Sequence, residues 1–175
     1  MNYKRAVLTI ATLGFTYFIL TRVGFTTQQW AVLRKLNPKA KAKLKKFIKR
    51  VQDELGYQVV LTSGYRTFAE QESLYNNGKT TSQAGDSFHN YGMAIDINAV
   101  KLGAWLRMGS SKYSWENSGI VDIAKEEGLR WGGDFSNFYD PVHFDLGNEY
   151  NVSTLKDKAF SIYGNNPSDI KGNKI

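Results

Sequence analysis

Between Asn37 and Gly56 apolar residues return every three or four positions: Leu44, Phe47, Ile48, Val51 and Leu55 fall on one face of a helix. Asn37 supplies an N-cap, Pro38 suits the first helical position, and Gly56 marks the stop. The opposite face carries Lys41, Lys43, Lys45, Lys46, Lys49 and Arg50. After it, Gln58 to Thr62 (QVVLT) has the β-branched content of a buried strand, and Thr67-Phe68-Ala69-Glu70 is a capping box that opens a helix running to near Gly78. Ser63 to Arg66 therefore lie on a strand-to-helix turn, a place where functional side chains are presented. From Met93 to Asn98 the pattern alternates, with Met93, Ile95 and Ile97 on one face and Ala94, Asp96 and Asn98 on the other, so Asp96 points away from the apolar side. Ile120, Ile123 and Ala124 with Gly128 predict a short helix, and His143 to Leu146 alternates again, placing His143 and Asp145 on one polar face. Strands and helices interleave without the regular rhythm of a parallel sheet. The expected class is α+β, a small antiparallel sheet with flanking helices.

The N-terminus has a different texture. Residues 6–20, AVLTIATLGFTYFIL, follow Lys4 and Arg5 and are closed by Arg22. This predicts an N-terminal hydrophobic helix, an anchor or signal-like segment over residues 1–24, which reaches spanning length only if it extends to residue 23. Membrane attachment through residues 6–23 would make the protein membrane-anchored or exported, acting in the periplasm or cell wall. The basic residues downstream, Arg22, Arg34, Lys35, Lys39 and Lys41, oppose an outward-facing domain, so the topology stays open. Residues 25–150 form the expected catalytic domain. Residues 151–175 form a polar tail with a helix around Thr154 to Tyr163 and a disordered end.

The formal net charge of +7 suits an anionic partner, and the basic helix is the candidate contact for an anionic wall polymer or lipid. A solvated lysine face is the commoner origin of such a run. No nucleic acid is expected as a partner, because a basic helix without base-reading companions is a weak signal. With no cysteine in the chain, disulfide frameworks, thiolate metal sites and cysteine nucleophiles are excluded, and any metal must be held by histidine and carboxylate. The chain has two histidines.

Those two histidines sit in informative strings: Ser87-Phe88-His89-Asn90-Tyr91-Gly92-Met93-Ala94-Ile95-Asp96 and Asp140-Pro141-Val142-His143-Phe144. The strings resemble the S-x-H-x-x-G-x-A-x-D and acid-x-x-H signatures of the metallopeptidase family that contains D-alanyl-D-alanine carboxypeptidases and L-alanyl-D-glutamate peptidases, at every defined position. Trp131-Gly132-Gly133-Asp134-Phe135, aspartate at 140, Ser63-Gly64-Tyr65-Arg66-Thr67, and Gln71 with Leu74, Tyr75 and Gly78 resemble the L-alanyl-D-glutamate branch, phage endolysins in particular. The resemblance covers roughly residues 36–147 and implies a hedgehog/DD-peptidase-like fold acting on peptidoglycan stem peptides. It implies Zn²⁺ held by His89, Asp96 and His143, Asp140 as the catalytic base, and Arg66, Gln71 and Ser87 as substrate contacts, with Arg66 also serving catalysis. One departure stands out: the branch places proline directly before the second histidine, whereas here Val142 separates Pro141 from His143.

The residue chemistry agrees with these roles. Two imidazoles and one carboxylate suit Zn²⁺ and leave a fourth position open for water. Arg66 offers a planar, permanently charged fork for a substrate carboxylate or a tetrahedral oxyanion. The leading expectation is an L-alanyl-D-glutamate endopeptidase of phage or prophage origin, since its motifs lie nearest that branch. A D-Ala-D-Ala carboxypeptidase or dipeptidase, and a non-catalytic zinc-containing wall-binding module, are the alternatives.

Overall fold

The computed structural model describes residues 8–12, 15–19 and 24–175. Strands β1 (Leu8–Thr12) and β2 (Phe15–Ile19) pair with each other in antiparallel register. The N-terminal hydrophobic helix is therefore not what the described part of that segment forms; the rest of residues 1–23 lies outside the described residues. Threonines and aromatic residues, abundant in this stretch, favour paired strands over helix. No helix among the described residues is long and apolar enough to cross a membrane.

Helix α1 (Thr27–Leu33), which periodicity did not reveal, is opened by a Thr26/Gln29 capping box. Gln29 is buried, yet satisfied: its amide donates to the Val59 carbonyl at 2.8 Å and to Gln52 at 2.9 Å. Helix α2 (Pro38–Leu55) starts and ends as its sequence requires, capped by Asn37 and closed by Gly56 in the left-handed conformation (φ 73°). Strand β3 (Gln58–Ser63) and helix α3 (Phe68–Asn76) follow, joined by the expected turn. The long strand β4 (Ala94–Lys101) lies at the centre of the sheet. Then come β5 (Ala104–Leu106), α4 (Lys112–Glu116), α5 (Ile120–Glu126), β6 (Arg130–Trp131), β7 (His143–Asp145) and α6 (Val152–Tyr163).

The sheet runs β3-β4-β7-β6 with β5 also on β4, and every pairing is antiparallel. Its registers put Ile95 opposite Phe144 and Phe144 opposite Trp131, so the apolar face of the sheet continues from strand to strand. Against that face packs the apolar stripe of α2: Phe47 meets Phe144 with ring centroids 4.9 Å apart, and Trp115 packs on the same ring at 6.1 Å. Burying the stripe is what stabilises α2, since isolated helices of this length are marginal in water. The other face of the sheet is left for polar side chains.

The basic face of α2 is largely occupied within the molecule. Lys43 pairs with Glu149, Lys46 with Glu127, Lys49 with Asp53, and Arg50 with Glu54, Glu126 and Glu127. The pairs to Glu126 and Glu127 draw the helix toward α5, and the pair to Glu149 draws it toward the chain after β7. Lys41 and Lys45 have no acidic partner among the described residues; Lys41 donates to the Arg34 carbonyl at 3.3 Å and Lys45 lies over the Trp30 ring at 4.6 Å.

The end of the chain also departs from expectation. Ile170 and Ile175 are buried, Lys39 Nζ donates to the Ile175 carbonyl at 2.9 Å, and Asn173 donates to the Lys35 carbonyl at 2.9 Å. Isolated apolar residues in a polar stretch carry no periodic signal, and here they fill sites supplied by distant segments. At Gly172 a Cβ would lie 2.0 Å from the Asn90 carbonyl oxygen, so the tail needs glycine to approach the turn that carries His89. Gly172→Val should accordingly lower stability by about 1–3 kcal/mol, read as a drop in the thermal denaturation midpoint of the full chain.

Candidate metal centre

Three strands bring the site together in one row. Ser63 on β3 pairs with Asp96 on β4, and Asp96 pairs with His143 on β7. Residues paired across antiparallel strands share a face, so these side chains rise together on the polar side of the sheet. His89 arrives from elsewhere, on a 3-10 turn over Phe88–Tyr91 that Ser87 caps, its Oγ accepting the His89 backbone N–H at 3.3 Å. The turn ends at Gly92 with φ 63°, and a Cβ there would meet the Asn37 backbone nitrogen at 2.7 Å. This is the physical content of the glycine three residues after the histidine in the motif.

The contributing atoms form a nearly equilateral triangle. His89 Nε2 lies 3.1 Å from Asp96 Oδ1 and 3.1 Å from His143 Nδ1, and His143 Nδ1 lies 3.1 Å from Asp96 Oδ1. His89, Asp96 and His143 are a set able to hold a metal ion. The tautomers agree with this: His89 Nδ1 donates to the Gly64 carbonyl at 2.7 Å, and His143 Nε2 donates to Asp145 Oδ2 at 2.8 Å. Each ring thus uses its outer nitrogen as a donor and turns the other, with its lone pair, toward the triangle. Two lone pairs and a carboxylate oxygen converging at this distance repel one another unless a cation lies among them. In an ideal tetrahedral zinc site, ligand atoms at about 2.05 Å from the ion stand about 3.3 Å apart, close to the observed edges. The residues present fit a zinc ion with one coordination position open.

Beneath His143 lies a carboxylate that sequence reading had placed on the same face without a role. Asp145 is fully buried, accepts from Arg130 Nε at 3.0 Å and Nη2 at 2.7 Å, and accepts the Gly147 N–H at 2.7 Å. Burial pushes its pKa up, but hydrogen bonds from His143 and Arg130 outweigh this and hold it below the usual carboxylate range. Burial likewise works against ionised Asp96, and the imidazoles overcome it, first through the charge of His89, to keep the carboxyl far below its ordinary value. For His143, burial disfavours the imidazolium, yet the flanking Asp145 and Asp96 carboxylates push its pKa up to about 10. A site that holds a proton this strongly favours positive charge of any kind, a metal cation included. The signal for Asp145 was its spacing of two from His143 on an alternating strand; Arg130 carried no signal of its own.

Two groups flank the triangle. On the β3 side, Arg66 donates through Nη1 to Gln71 Oε1 at 2.8 Å and through Nη2 to Ser63 Oγ at 3.3 Å, which leaves guanidinium N–H groups unspent. Gln71 is fully buried and its other end donates to the Ser82 carbonyl at 2.7 Å, so it stands behind Arg66 and positions it. Direct contact between Gln71 and a substrate, as expected from the resemblance, is blocked by that burial. On the β7 side Asp140 precedes His143, and its carboxyl feels the charges of His143, Asp96, His89 and Arg66. Burial, opposed by His143, raises its pKa above the usual value. The Trp131-Gly132-Gly133 string explains itself here. Trp131 Nε1 donates to the Pro141 carbonyl at 2.8 Å, the Gly132 carbonyl accepts the Asp140 N–H at 3.1 Å, and a Cβ on Gly132 would fall 2.3 Å from the Asp140 oxygen. The intervening Val142 leaves the backbone bond from His143 N–H to the Asp140 carbonyl intact at 3.2 Å.

Because Asp145 fixes the tautomer of His143, Asp145→Asn should weaken Zn²⁺ affinity about 10–100-fold, measured by competition with a chromophoric chelator, while far-UV circular dichroism stays unchanged.

Comparison with known proteins agrees with this picture. Residues 80–146, which carry both histidine strings, match a family model described as D-alanyl-D-alanine carboxypeptidase. The chain is 36% identical over 104 residues to the peptidoglycan L-alanyl-D-glutamate endopeptidase CwlK of Bacillus subtilis (strain 168), a match covering 52% of this chain and 62% of that protein. It is 28% identical over 145 residues to the L-alanyl-D-glutamate peptidase of Listeria phage A118, covering 82% of this chain and 50% of that one. The matches thus span between half and less than two thirds of these relatives. Among solved structures, the L-Ala D-Glu endopeptidase ChiX of Serratia marcescens shares the fold with a TM-score of 0.54 at 20% identity, over 84% of this chain and 98% of that one. In motif and in fold, the chain resembles the D-alanyl-D-alanine carboxypeptidase and L-alanyl-D-glutamate peptidase family of metallopeptidases.

Proposed function

We propose that this protein is a zinc-dependent peptidoglycan peptidase that hydrolyses the L-alanyl-D-glutamate bond of cell-wall stem peptides, in the manner of a phage or prophage endolysin. The observation that carries the reading is the triangle of His89, Asp96 and His143 atoms at 3.1 Å, flanked by Arg66 on one side and Asp140 on the other. The names of the curated relatives, an endopeptidase and a phage peptidase of this specificity, support the choice of bond. The peptidase unit starts at residue 25 and acts at the cell wall.

His89, Asp96 and His143 hold the Zn²⁺ in this reading. When bound, the ion supplies a Lewis acid that acidifies water and polarises a carbonyl. Asp140 takes the proton of the attacking water and returns it to the departing amine, a task for which a carboxyl raised by burial is better matched than an exposed one. Arg66 uses its unspent N–H groups on the α-carboxylate of D-glutamate, which lies next to the scissile bond because the stem continues through the glutamate side chain. Ser63 and Gln71 hold the guanidinium in place. Ser87, half-buried beside His89, is a substrate hydrogen-bond partner. A groove of about 580 Å³ continues past Arg66 between α1 and α3, with Lys35 and Glu70 on its walls, and gives the remainder of the stem a path.

The test uses purified peptidoglycan and the full chain. New D-glutamyl amino termini should appear by mass spectrometry, vanish with a zinc chelator, and return on adding Zn²⁺. Released D-alanine would identify a D-Ala-D-Ala carboxypeptidase or dipeptidase instead, and zinc binding without cleavage would identify a binding module. Asp140→Ala should lower kcat by about 10²–10⁴-fold with zinc still bound. Arg66→Lys keeps the charge but loses the fork, and should act on kcat/KM by about tenfold or more, an effect absent with a substrate whose D-glutamate α-carboxylate is amidated.

A further inference from the structure

Large apolar side chains at the surface are not spread evenly. Of the nine most exposed among the described residues, six fall in two segments: Leu102, Trp105, Met108 and Tyr113 in one, Phe138 and Tyr139 in the other. The two segments are joined, because the Tyr139 hydroxyl donates to the Ser110 carbonyl at 3.0 Å. Ser110 in turn donates to the Trp105 carbonyl at 3.3 Å. The second segment leads directly into Asp140, and its Phe135 packs edge-on to Phe138 at 5.3 Å and against the His143 ring at 5.7 Å. Phe138 thus stands one ring away from His143, and the segment carrying Tyr113 is tied to this loop by Tyr139 and by the Lys112–Asp134 ion pair. Tyr113 is 73% exposed, Phe138 45% and Tyr139 37%, a concentration of exposed rings that marks an interaction surface.

The sheet fixes which side of the site this is. Asp96 lies in the middle of the row, with Ser63 and Arg66 on the β3 side and His143 and the aromatic loop on the β7 side. If Arg66 holds the D-glutamate carboxylate, the substrate leaves the row on the opposite side through its L-alanine. In a stem peptide that alanine is amide-linked to the lactyl group of an N-acetylated amino sugar. One residue separates the scissile bond from the sugar, a reach of about 3.5 Å per residue. On that reading the sugar falls on the β7 side.

We propose that Tyr113 and Phe138 form a platform for the amino sugar that carries the stem peptide, so that the enzyme recognises a muramoyl peptide rather than a peptide alone. Flat rings present apolar faces to the C–H face of a pyranose and lose little conformational entropy in doing so. The inference deepens the L-alanyl-D-glutamate reading and rests on it. Tyr139, whose hydroxyl ties the two segments together, positions the platform.

The experiment compares N-acetylmuramoyl-L-alanyl-D-glutamyl peptides with the same peptides lacking the sugar. The intact protein should prefer the muramoyl substrate in kcat/KM, and Tyr113→Ala with Phe138→Ala should lower that preference about tenfold. Saturation-transfer NMR with N-acetylmuramoyl-L-alanine, which needs no turnover, should show contacts to the sugar ring in the intact protein and lose them in the double variant. Equal kcat/KM on both substrates, or no contact to the sugar ring, overturns the platform while leaving the peptidase intact. Failure to cleave either substrate overturns the underlying reading and the platform with it. A dimer in sedimentation that the double variant converts to monomer would assign the rings to self-association and likewise overturn the proposal.

Discussion

The antiparallel register that sets Asp96 opposite His143 governs the rest of the site. A slip of one residue along either strand would turn the whole polar set into the core and the apolar set into water, because side chains alternate with a period of two. The register is held by what lies on the other face. Ile95, Ile97 and Phe144 are buried in one core, Phe144 against Phe47 and Trp115, so the hydrophobic interior enforces the alignment of the polar ligands above it. Metal geometry here is a consequence of core packing.

Electrostatics completes what the register begins. Asp96 and Asp145 stand on either side of His143, and Arg130 neutralises only the deeper of the two. Unpaired buried charge is costly, which makes the arrangement stable only if positive charge enters the triangle. The fold thus carries a standing demand for a cation at the point where three ligand atoms meet. Arg130 itself is sheltered between the Phe88 and Phe135 rings, its guanidinium carbon 5.3 Å and 4.7 Å from their centroids.

The turn that carries His89 is fixed from several directions at once. Its ring donates to Gly64, its carbonyl accepts the Arg66 N–H at 3.0 Å, and Gly92 accepts the Asn37 N–H at 3.0 Å. Asn90 receives the Gly85 N–H and donates to the Arg66 carbonyl, while Gly172 from the chain end presses on its backbone. Such over-determination limits how far His89 can drift, as a ligand on a short 3-10 turn requires. It also gives the polar C-terminal segment a structural purpose.

Much of this was legible in the amino-acid order. Helix α2, strand β4 and the turn before α3 follow from period, caps and glycine, which act over a few residues and leave a mark wherever they occur. His89, Asp96, His143 and Asp140 could be singled out because motif spacing records a local geometry: a 3-10 turn, a left-handed glycine, a strand. The pairing of β1 with β2 and the burial of Ile170 and Ile175 left no such mark. A hydrophobic run of this length fits helix or hairpin alike, and isolated isoleucines are buried only by partners far away in the chain. Only the tertiary structure decided that Arg130 braces Asp145, that Gln71 stands behind Arg66, that Lys43 and Lys46 of α2 reach acids far along the chain, and that two aromatic segments meet. The lysine and aromatic contacts join residues tens of positions apart, and the nearer pairs, Arg66 with Gln71 and Arg130 with Asp145, meet across turns and neighbouring strands, so none leaves a periodic trace in a single sequence.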